Sequence, residues 1–107
     1  MKIDSRIIIS IDKQFYSEED EIRIHVWFNM KSHSMAALTV FSQTGKIVDS
    51  ALLKKGSDNT ETFALTCGGP NMCENGYYVI KVECDYVVSE AMFEYYSSRN
   101  PPRMNEK

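Results

Sequence analysis

Glu21-Ile22-Arg23-Ile24-His25-Val26-Trp27-Phe28-Asn29 decides the fold class of this chain. Successive side chains of an extended strand point to opposite faces. Ile22, Ile24, Val26 and Phe28 therefore share one face, and Glu21, Arg23, His25, Trp27 and Asn29 share the other. Helical spacing would scatter the same apolar residues around a cylinder. One apolar and one mixed face over nine residues is the pattern of a half-buried antiparallel strand.

The same period of two recurs outward from this stretch. Before it, Arg6–Ile11 reads as a strand, joined by a polar connection that holds Phe15 and Tyr16. After it, Met30–Met35 is a polar loop and Ala36–Phe41 a strand. Ser42-Gln43-Thr44-Gly45 is a turn, with glycine where positive φ is needed. Lys46–Leu53 and Thr60–Thr66 follow as strands, separated by a polar turn. Tyr78, Ile80, Val82 and Cys84 then alternate with Tyr77, Val79, Lys81 and Glu83. Asp85-Tyr86 turns the chain into Val87–Tyr96, whose inner face carries Ala91, Phe93 and Tyr95. Seven strands with turn signals every 8–12 residues or so predict a seven-stranded antiparallel immunoglobulin-like β-sandwich. Its predicted extent is residues 1–97, with residues 98–107, which include Pro101-Pro102, as a flexible polar tail.

Composition narrows the function classes. A chain of 107 residues has room for one modest core. At 43% hydrophobic it is a globular composition. The net charge of -3 argues against a nucleic-acid partner held through its phosphates. No apolar run is long enough for a membrane span or a secretory signal, so the expected location is cytoplasmic, or the cell surface if a leader precedes this sequence.

The chain resembles the immunoglobulin-like, fibronectin-III-like repeat domains of prokaryotic surface proteins, particularly archaeal ones of the thaumarchaeal type. Three phrases carry the resemblance: Ile9-Ser10-Ile11-Asp12-Lys13-Gln14-Phe15-Tyr16 running on to Asp20-Glu21-Ile22, Val40 through Gly45 to Val48, and Phe63 through Gly68-Gly69-Pro70 to Gly76-Tyr77-Tyr78-Val79-Ile80-Lys81-Val82, then Ala91 and Phe93. It covers residues 6–96, and its motifs are turn and core signals. They specify a fold and not an activity. Glu19 departs from the resemblance, standing where the family has glycine. Independently of the resemblance, Tyr78 behind Gly76 stands where sandwiches place a tyrosine with an inward ring and a hydroxyl that caps backbone.

No nucleophile elbow, phosphate loop or dinucleotide fingerprint is present, so no enzyme activity and no cofactor are expected. The expected partner is another protein or a second copy. Trp27, Arg23 and His25 share the outer face of their strand, with Tyr77 expected beside them on a neighbouring strand. Trp, Tyr and Arg are the side chains enriched at binding hot spots. The competing expectation is that Arg23 or the tail covers Trp27. Exposed edge strands offer a second route to association. A metal-handling alternative uses Met30, His33 and Met35 in one loop together with Cys84, since thioether and thiolate suit Cu(I). The acidic run Glu18–Glu21 reads as a solvated turn, with calcium the alternative. Cys67 and Cys73 bracket a loop that a disulfide would close, leaving Cys84 as a thiol.

Overall fold

A computed structural model describes residues 6–29, 35–54, 59–68, 72 and 74–97. Among these, eight strands form: β1 (Arg6–Ile11), β2 (Phe15–Ser17), β3 (Glu21–Asn29), β4 (Ala36–Ser42), β5 (Ile47–Leu53), β6 (Thr60–Thr66), β7 (Gly76–Cys84) and β8 (Val87–Tyr96). They make a three-stranded sheet in the order β1-β3-β6 and a five-stranded sheet in the order β2-β8-β7-β4-β5. Residues 98–107 lie outside the described residues.

The two-sheet, all-β architecture agrees with the sequence expectation, but two details do not. The described residues form eight strands, and β2 pairs parallel to β8, so the larger sheet is mixed. The chain leaves β1 in one sheet and enters the other through Asp12-Lys13-Gln14, where Gln14 accepts the Glu94 N–H at 2.8 Å. A three-residue strand is too short to display alternation, which is why periodicity does not reveal it. The pairing is parallel because the chain keeps its direction as it crosses between the sheets.

The core lies between the sheets and is built from the alternating positions. Ile22, Ile24, Val26 and Phe28 are each at most 1% exposed. They face Leu38, Val40, Tyr78, Ile80, Val82 and Phe93 of the other sheet, which are buried to the same degree. At about 25 cal/mol per Å² of apolar surface, each such side chain contributes about 1.5–3 kcal/mol. The Tyr78 ring lies parallel to that of Phe93 with centroids 5.5 Å apart, and Tyr16 meets Phe93 edge-on at 5.6 Å. The Tyr78 hydroxyl donates to the Glu74 carbonyl at 2.6 Å. This is the inward ring and backbone-capping hydroxyl expected from its place in the sequence.

Turn chemistry sets the register. Gly45 takes φ +89° and donates to the Ser42 carbonyl at 2.9 Å. The β4–β5 ladder shifts between Val40, opposite Asp49, and Phe41, opposite Ile47. Val48 is the extra residue of that bulge, and it is buried. Asp85 and Tyr86 both have positive φ, the backbone of a two-residue hairpin turn between β7 and β8.

The sandwich side holding β1, β2 and β8 is closed by the crossing chain. On the other side β5 and β6 are the sheet edges. Each edge strand points one half-buried acid toward the interior, Asp49 on β5 and Glu61 on β6. Inward charges of this kind discourage further strands from adding.

Candidate functional site

Two outer faces remain, one on each sheet. On the three-stranded face the ladders fix the neighbours. Ser10, His25 and Thr62 form one row across the sheet, and Ile8, Trp27 and Thr60 form the next. Together with Val26 and Glu61 these six residues line a shallow groove of about 290 Å³. Trp27 is 41% exposed and Ile8 43%. His25 Nδ1 lies 3.2 Å from Thr62 Oγ1. Arg23 turns its guanidinium to Glu21 at 3.4 Å, away from Trp27, so it does not form the expected cover over the indole.

Tyr77 is not beside these residues. It lies on β7, in the five-stranded sheet, and faces outward on the opposite side of the sandwich. The strands that flank β3 are β1 and β6. Alternation tells which residues share a face of one strand, but not which strands are neighbours. The expected group therefore divides into Arg23, His25 and Trp27 on one face and Tyr77 on the other.

The face that Tyr77 joins is the more apolar one. Met92 of β8, Val79 of β7, Phe41 of β4 and Ile47 of β5 stand in register as a row across four strands. Met92 is 51% exposed and Ile47 58%, while Val79 and Phe41 are half-buried. Of the ten exposed large hydrophobic residues among those described, six lie on this face: Phe15, Ile47, Leu52, Tyr77, Val88 and Met92. Charge is distributed unevenly over it. Lys81, Glu83, Glu90 and Glu94 are all on β7 and β8, whereas Ala37, Thr39, Phe41, Ile47, Ser50 and Leu52 leave the β4–β5 half uncharged. The signal for this face is present in the sequence as apolar residues out of phase with the core. The cross-strand register that joins them is not.

Of the metal ligands of the alternative reading, the structure describes two, Met35 and Cys84. Met30 and His33 lie outside the described residues. Met35 is half-exposed just before β4, whereas Cys84 is buried on the core side of β7. Among the described residues no group of three or more His, Cys, Asp or Glu converges on a cation position.

The acidic turn is occupied with its own backbone. Asp20 Oδ2 accepts the Ser17 N–H at 2.8 Å and the Ser17 hydroxyl at 3.2 Å, with Lys13 Nζ at 3.4 Å. The Ser17 N–H, and then the Lys13 ammonium, hold the Asp20 carboxyl below its ordinary value. Cys67 is a free thiol in the core, 2% exposed, rather than half of a loop disulfide, and burial pushes it up to about 12. A thiol held so firmly protonated is a poor nucleophile. Cys73 lies outside the described residues.

No family model matches the sequence, and no curated protein does. Solved structures match by fold. The CARDB domain of a Pyrococcus furiosus protein, determined in complex with di-metal ions, is 11% identical, covers 87% of this chain and 93% of its own, and superposes with a TM-score of 0.55. The sulfur carrier protein SoxY of Chlorobium limicola f thiosulfatophilum is 12% identical, with 86% and 78% covered and a TM-score of 0.45. A β-glucosidase from Listeria innocua, in complex with gluconolactone, is 9% identical, with 85% of this chain but 16% of the enzyme covered and a TM-score of 0.49. The first likeness supports an immunoglobulin-like β-sandwich. No helix among the described residues is long and apolar enough to cross a membrane.

Proposed function

We propose that this chain is a non-catalytic protein-interaction module of the kind found in archaeal surface proteins, and that it works through the outer faces of its sheets. The carrying observation is the outward apolar row Met92–Val79–Phe41–Ile47 on the five-stranded sheet, exposed at Met92 and Ile47. Large contiguous apolar surface is rare on monomeric proteins and marks contact sites. The Trp27 groove is a second, smaller contact surface.

Affinity capture from native lysate tests this reading. Wild-type bait is compared with Met92→Lys and Trp27→Ala baits, each confirmed folded by circular dichroism. A species retained by wild type and lost with either variant supports it. Identical capture by all three baits overturns it.

The metal alternative has one point in its favour, the di-metal complex of the Pyrococcus CARDB domain. Titration with Cu(I) and with Zn(II) under reducing conditions tests it. Sub-micromolar binding that His33→Ala abolishes supports a metal-handling role, and its absence removes that role.

A further inference from the structure

We infer that the occupant of the five-stranded face is a second copy of this chain, docked about a two-fold axis that runs along the strands between β7 and β4. The inference rests on the interaction reading above and names its partner. The strand order β2-β8-β7-β4-β5 places that axis between the two central strands of the apolar row. A half-turn about it carries β8 of one copy over β5 of the other. Met92 then meets the other copy's Ile47, and Val79 meets its Phe41. The row is thus complementary to itself, as a two-fold interface requires.

Charge selects this axis over the alternative. An axis across the strands, along the row, would lay β8 on β8 and oppose Glu90 of each copy to Glu94 of the other. Along the strands, the charged β7–β8 half covers the uncharged β4–β5 half. Exposed Lys46, just before β5, comes to lie near Glu94 of the facing β8. The extent is sufficient. Four strands about 4.8 Å apart and seven residues long at about 3.3 Å each present roughly 440 Å² in flat projection. Side-chain relief raises this toward the roughly 600 Å² per partner at which specific interfaces begin, while β2 overhangs the facing edge strand. Sheets packed this way lie about 10 Å apart, nearly aligned.

Analytical ultracentrifugation of the purified chain, alone and under reducing conditions, tests the proposal. Wild type is expected to dimerise below about 0.5 mM. Ile47→Lys and Met92→Glu are each expected to weaken the dimer at least about tenfold, because each change acts twice across the axis. Mixing the two variants is the decisive arm. In the mixed dimer one contact pairs the introduced lysine with the introduced glutamate, and the other is the native Ile47–Met92 contact, so association returns. A monomeric wild type at that concentration overturns the inference. So does a dimer that survives both substitutions, or one that the mixture does not restore. A monomer that still captures a partner lost with Met92→Lys refutes only the second copy and leaves the interaction reading standing. A monomer with no discriminating capture refutes both.

Discussion

The backbone N–H of Glu19 donates to the Cys67 carbonyl at 3.2 Å, while Glu19 itself holds φ +73°. The two residues tie the turn before β3 to the end of β6. The turn is closed by the Asp20 N–H to the Ser17 carbonyl at 3.0 Å, and the Cys67 N–H returns to the Asp20 carbonyl at 2.8 Å. Its third residue needs the left-handed region, which suits glycine. A side chain there costs about 1 kcal/mol, partly offset by the greater freedom of glycine in the unfolded chain. Glu19→Gly is therefore expected to stabilise the domain by about 0.5 kcal/mol, raising the urea midpoint without changing the slope. A lowered midpoint would show that the Glu19 side chain makes a contribution larger than the strain.

The Tyr78 hydroxyl makes the opposite kind of contribution. Its bond to the Glu74 carbonyl pins the loop entering β7 to a ring packed on Phe93. Tyr78→Phe keeps the ring and leaves a partly buried carbonyl without that donor. The expected loss is about 1–2 kcal/mol, with the melting temperature lower by about 4–8 °C per kcal/mol. An unchanged melting temperature would mean that water replaces the hydroxyl without cost.

Tyr78 acts through a chain-local rule, strand phase, so the amino-acid sequence alone reveals it, whereas Glu19 stands out only against the glycine of the resembling family. The inner faces of β3, β7 and β8 are legible for the same reason. Trp27 and Tyr77 are the counterexample. Each faces outward, as alternation predicts, but whether they share a face depends on strand order, which is set by long-range packing. The Met92–Val79–Phe41–Ile47 row needs the same non-local information, including the bulge at Val48 that brings Ile47 opposite Phe41. Strand β2 escapes periodicity because Phe15–Ser17 pairs with the distant segment Glu94–Tyr96 and has too few residues to alternate.

Alkaline pH should unfold this domain in a defined window. Burial, then the bond to Asp12, raises the Tyr16 hydroxyl from 10.0 to about 12, and burial raises the Cys67 thiol from 9.0 to about 12. Both groups hold their protons more tightly when folded. The resulting stability is fully present below the unfolded values, and it is lost as pH rises through the folded ones. Urea stability should therefore fall from about pH 9 toward pH 12. Cys67→Ala should delay the onset of that fall toward 10.0, where Tyr16 begins to act. A profile identical to wild type would show that Cys67 titrates normally in the folded chain.

Strand β5 ends its sheet, and its exposed edge has a specific guard. Asp49 Oδ1 accepts the Ser50 N–H at 2.8 Å, which occupies a donor that an added strand would otherwise take. The carboxylate also sets a charge beside the bulge at Val48. Beyond it, Ser50-Ala51-Leu52-Leu53 is uncharged and free of proline, the composition that pairs readily with another edge. Asp49→Val removes both the cap and the charge and adds a β-branched residue. The folded chain is expected to survive, since Asp49 is only half-buried. Association should then proceed past a dimer, because edge pairing extends a sheet and does not close as the two-fold docking of faces does. Light scattering on concentrated samples reads this directly. Asp49→Val is expected to give growing assemblies, and restoring a charge nearby with Ser50→Lys should suppress them. A variant that scatters like wild type would show that the bulge alone protects the edge.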